Sequence, residues 1–89
     1  MEREPERLHR AVGQRLRELR LREGLTQERL ATEAGLHFTF VARVERGSTA
    51  VTVDSVAALC RALNITLSEF FDPLTQKFQI KGPRRRIAR

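Results

Sequence analysis

The chain has 89 residues, 40% hydrophobic and 31% charged, with a net charge of +6. That length fits one small domain with tails and a modest core, which a partner subunit would help to stabilise. No apolar run reaches the roughly 18 residues of a membrane span, the charged start lacks a signal-peptide pattern, and one cysteine forms no internal disulfide, so a cytoplasmic setting is expected.

The positive charge is unevenly spread. Residues 1–24 carry seven arginines against five glutamates, and residues 25–73 carry four arginines against six acids. Residues 74–89 hold Lys77, Lys81, Arg84, Arg85, Arg86 and Arg89 with no acid. The middle of the chain is therefore net negative. Charge alone does not assign a nucleic-acid partner; particular positions must.

Residues 1–6 are expected to form an N-terminal arm. Over residues 6–23, "ERLHRAVGQRLRELRLRE", Leu8, Val12, Leu16 and Leu19 recur at helical spacing and make one apolar stripe. Gly24 stops that helix, and Thr26 caps a second one from Gln27 to about Ala34, which buries Leu30, Ala31 and Ala34. After Gly35, a third helix spans about Phe38 to Arg46 with Val41 and Val44 inward. Its end is Gly47, and "STAVT" reads as a loop. Thr52 caps a fourth helix over about 53–63, with the stripe Val56, Leu59, Cys60 and Leu63. Thr66 and Glu69 form a capping box that opens a short fifth helix through Phe70 and Phe71, ending before Pro73. The rest reads as a basic tail over 74–89, with a possible short strand at 77–81. The pattern predicts an all-α domain over residues 7–73, built from five short helices with short connections.

The second and third helices, joined by a three-residue turn that begins with glycine, have helix-turn-helix geometry. Ala31 is small where the two helices cross, Gly35 relieves the turn, and Leu36, Val41 and Val44 wedge the helices together. Gln27, Ala31, Gly35, Val41 and Val44 fall at positions 1, 5, 9, 15 and 18 of a twenty-residue motif. On "LRELRLREGLTQERLATEAGL", "VARVERG" and "LCRALNITLSEFF", the chain resembles the phage-repressor and Cro type of helix-turn-helix domain, the Xre family, over about residues 8–72. The resemblance implies five helices, the third in the DNA major groove, and dimers on palindromic operators. It also implies that Arg20 pairs with Glu45 as a structural ion pair. Gln27 is implied to bond a phosphate while bracing the third helix, a place where the helix N-terminus also favours anions.

On a helical wheel, with Val41 and Val44 inward, Thr39, Ala42, Arg43 and Arg46 point outward and the rings of Phe38 and Phe40 lie on the flanks. Arg43 is the expected base reader, since a guanidinium can bond guanine O6 and N7 together. Thr39 suits a base or a phosphate. By the resemblance, Phe40 packs beside the core near the sugar-phosphate backbone, and Phe38 occupies a reading position. There it either meets a thymine methyl or is covered by the N-terminal arm. His37 is expected to cap the third helix and approach a phosphate. Ser48 and Thr49 offer neutral contacts in a loop without cations. The basic tail either binds phosphate non-specifically or is a solubilising end.

Nothing in the sequence resembles a nucleophile with its base, a phosphate-cradling glycine loop or paired catalytic carboxylates. His9 and His37 lack partners for a metal site, and Cys60 belongs to an inner stripe. The expected function is a sequence-specific DNA-binding transcriptional regulator, not an enzyme and without cofactor, acting on double-stranded DNA at the nucleoid. A homodimer is expected through Leu67, Phe70 and Phe71, on the ground that so short a fifth helix cannot cover all three. The alternative is an antitoxin or interaction adaptor on the same fold, with a protein partner such as a toxin.

Overall fold

The computed structural model describes residues 2–78. Five helices follow in order: α1 (Glu4–Arg22), α2 (Gln27–Ala34), α3 (Phe38–Arg46), α4 (Val53–Leu63) and α5 (Leu67–Lys77). Helix α1 packs along α3 and α5, α2 packs on α3 and α4, and α4 meets α5. The core between them is aliphatic apart from Cys60 and Phe70, with Leu16, Leu30 and Val41 wholly buried.

The helix starts follow local chemistry. Thr26 accepts from the Arg29 N–H at 3.0 Å, and Thr52 and Ser55 cap each other reciprocally. Thr66 and Glu69 make the expected capping box, with bonds of 2.8 and 3.0 Å. Helix α1 begins at Glu4, inside the expected arm. Pro5 sits in its first turn, where a missing N–H costs nothing, and the Glu6 carboxylate accepts the Arg3 N–H at 2.9 Å.

Helix α5 departs most from expectation. It runs through Pro73 to Lys77 instead of stopping before the proline. A proline inside a helix lacks the N–H that would bond the carbonyl four residues back, here that of Glu69. The guanidinium of Arg15, from α1, fills the gap: Nη2 donates to the Glu69 carbonyl at 2.7 Å and Nε to that of Phe70 at 2.9 Å. The extra turn brings Leu74 into the core and sets Phe78 beneath the Arg7 guanidinium, 5.3 Å from the ring centroid. The folded domain therefore extends past residue 73. Of the expected strand at 77–81, Lys77 is helical and residues 79–81 lie outside the described residues, as does most of the basic tail.

Helix α5 also corrects the expected dimer surface. Phe70 is 1% exposed, packed in its own subunit's core and edge-on to Phe71 at 4.9 Å between centroids. It belongs to the core, so Phe70 is not free to meet a partner. Leu67 stays exposed and Phe71 half-buried.

Candidate nucleic-acid interface

Nine residues make α3, and its two faces differ sharply. Val41 and Val44 are buried, while Phe38, Thr39, Arg43 and Arg46 are exposed and Ala42 lies between. Phe40 is half-buried and packs against the core. The helix ends at Gly47, whose φ of 75° suits a left-handed cap. Two arginines in the last turn complement the negative end of the helix dipole. Among the described residues, neither Arg43 nor Arg46 forms an ion pair. Within the described residues, both guanidiniums face outward with no partner.

Behind this face lies a polar lock. Arg20 Nε and Nη2 donate to the two Glu45 carboxylate oxygens at 2.6 and 3.0 Å, and its Nη1 donates to the Leu25 carbonyl at 2.7 Å. Both side chains are buried, at 8% and 3% exposure. The hydrogen bond to Glu45 raises the Arg20 pKa above its ordinary value, against the opposing effect of burial. Gln27 Nε2 donates to the same carboxylate at 3.0 Å. Glu45 thus accepts three bonds and is tied to both α1 and α2. A side-chain amide has two N–H groups, so Gln27 keeps one for a further acceptor. One residue thereby braces α3 and still presents a donor at the start of α2.

Phe38 is 46% exposed and lines an open cleft of about 540 Å³ with Arg17, Arg20, Thr26, Gln27 and Glu28. Its ring sits by the start of α2. Arg17 joins this cleft although no sequence pattern singled it out; its place one turn before Arg20 was the available signal.

Two expected contacts change. His37 occupies the N-cap position of α3, but its side chain makes no capping bond; its carbonyl accepts the first ordinary helical bond, from Val41 N–H at 3.2 Å. His37 is exposed to solvent. The Ser48 hydroxyl donates to the Arg43 carbonyl at 3.1 Å, closing the end of α3. Its single proton is engaged there, so it is not free to donate to a phosphate. Thr49 makes only a long 3.4 Å contact with the Ala50 carbonyl. Among the described residues, no group of three or more His, Cys, Asp or Glu side chains is arranged to hold a metal.

The helix-turn-helix family profile matches residues 16–70. Control protein C.BamHI of Bacillus amyloliquefaciens is 34% identical over 61 residues, which are 67% of this chain and 75% of that protein. The crystal structure of the restriction-modification controller protein C.AhdI from Aeromonas hydrophila is 44% identical, with a TM-score of 0.69, covering 71% of this chain and 96% of that one. The controller protein C.Esp1396I, solved as a tetramer with its natural 35 base-pair operator, is 30% identical, with a TM-score of 0.72 over 79% of this chain and 92% of that one.

Proposed function

This chain belongs to the helix-turn-helix family, and we propose that it is an operator-binding transcriptional regulator of the controller-protein kind, reading DNA with α3 as a homodimer. The observation that carries this reading is the contrast across α3. Its inward carboxylate is locked by Arg20 and Gln27, while outward Thr39, Arg43 and Arg46 are exposed.

In the major groove, Arg43 bonds guanine O6 and N7, and Phe38 offers its exposed ring to a thymine methyl. Thr39 bonds a base or a phosphate. Arg46 and the spare Gln27 N–H hold phosphates, which fixes register without reading sequence. The loop supplies little, since Ser48 is turned back on the helix.

The dimer face is Leu67 and Phe71 with Val53, which is 76% exposed. Together with Val51 and Val56 they line an apolar groove of about 220 Å³ between the start of α4 and α5. A second copy covers that groove and sets two α3 helices about 34 Å apart, one turn of DNA. The operator-bound assembly of C.Esp1396I supports an oligomer on DNA. The reading places the protein in the cytoplasm, on the nucleoid.

Arg43→Ala tests the assignment by equilibrium binding to operator and random duplexes. Loss of one bidentate base contact is expected to cost about 1–3 kcal/mol on the operator only, with the fold intact. Unchanged preference for the operator removes Arg43 from base reading.

A further inference from the structure

A close helix contact lies on the hidden side of α3. A Cβ built on Gly13 of α1 would stand 2.2 Å from the Val44 carbonyl oxygen and 2.8 Å from that of Glu45. Both neighbours are main chain, so no side chain can swing aside. Glycine is a poor residue for the middle of a helix, and this approach accounts for its presence. Two further contacts flank it. Seven residues on, Arg20 grips the Glu45 carboxylate. Three residues before, Arg10 stands against Gly47, where a Cβ would meet Arg10 Cγ at 2.6 Å. Helix α1 therefore holds the C-terminal half of α3 at residues 44, 45 and 47. Arg43 stands directly before the first of those holds, on the solvent side.

We propose that Gly13 is a positioning residue for DNA reading: it lets α1 set the height of the C-terminal half of α3, and with it the reach of Arg43. The proposal rests on α3 being the reading helix. It adds a residue that precedes the segment matched by the family profile. An alanine methyl would force the α3 backbone off α1 by about an ångström, beyond the roughly 0.5 Å tolerance of a preorganised contact. The N-terminal half of α3, with Phe38 and Thr39, is not held by this contact.

The test is a double-mutant cycle on the full chain, Gly13→Ala with Arg43→Ala, read as affinity for a duplex that the wild-type chain selects from a random pool, taken as its operator, and for random duplexes. Circular dichroism and melting check the fold. Gly13→Ala is expected to lose about 10- to 100-fold on the operator and little on random DNA. In the Arg43→Ala background it is expected to add less than about threefold, because the contact it positions is already gone. Cys60→Ala, a core truncation in α4, serves as the control and is expected to melt lower while keeping operator preference. If Gly13→Ala melts too low, the cycle is run in trimethylamine N-oxide, which favours the compact state.

Additive losses, an equal loss on random DNA, or a control that loses preference as Gly13→Ala does would each overturn the proposal. So would an alanine variant that stays unfolded in the osmolyte, since the glycine would then be a general folding requirement. Absence of any operator preference in the wild-type chain is a different failure, which sinks the reading of α3 and the proposal with it.

Discussion

Helix α1 is pinned to two partners by two arginines, and the two seams behave differently. On α3, Arg20 meets a carboxylate, both groups are buried, and Gln27 completes the shell. On α5, Arg15 meets two main-chain carbonyls in a half-buried place, and one of them is free because Pro73 has no N–H to give it. A buried ion pair that loses one member leaves a charge without water or partner, whereas a carbonyl near the surface can be rehydrated. The α1–α3 seam is the less forgiving of the two, and it carries the helix proposed to read DNA.

The largest effect should come from breaking that seam. Arg20→Ala or Glu45→Ala is expected to cost about 3–5 kcal/mol in denaturant unfolding. Replacing both by methionine should recover much of the loss, since the cost lies in the unpaired charge rather than in the pair. Arg20 carries a sign for pH as well. Its folded pKa is raised, so its contribution is fully present below the ordinary arginine range and is lost only as pH rises through the higher folded value. The Arg20 share of stability should therefore be flat through neutral and mildly alkaline pH. A wild-type-minus-Arg20→Ala difference that falls between pH 7 and 9 would contradict this.

Arg15→Ala probes the other seam and should cost less, about 1–3 kcal/mol, with the damage confined to α5. Hydrogen exchange is expected to quicken in the turns around Pro73 while α3 stays protected. Equal loss of protection in α3 would mean that the two seams are one cooperative unit. Thr66→Ala removes the cap at the opposite end of α5 and should cost about 0.5–2 kcal/mol, again without affecting α3. The smallest signal is Cys60, whose thiol is buried and pushed up in pKa by burial. Alkylation at neutral pH should be slow in the native chain and fast in denaturant. Its rate should rise more in Arg20→Ala than in Arg15→Ala if the ranking of seams is right.

Much of this was legible from local signals. The caps at Thr26, Thr52 and Thr66 act between residues three apart, so their pattern lies within a few letters of sequence. The inward set of α3, Val41 and Val44, follows from helical period alone. What escaped depends on distant partners. Pro73 is a stop signal by itself and ceases to be one only because Arg15 lies across from it, 54 residues away from the orphaned carbonyl. Phe70, expected at the dimer face, is likewise buried among helices distant in sequence. Gly13 looks like a weak spot in a helix until the backbone of Val44 and Glu45 is seen against it. The candidate site was legible in its outward residues and incompletely so in the ones that hold them, since support comes from elements that sequence order separates.

DNA reading by α3 is tested by selection of binding sites from random duplexes, run in parallel with the wild-type chain and Arg43→Ala. A two-fold symmetric site is expected, with half-sites about one helical turn apart and guanine positions in each half that vanish in the Arg43→Ala selection. Recovery of the same guanines by both proteins, or of no enriched sequence by the wild type, would contradict it.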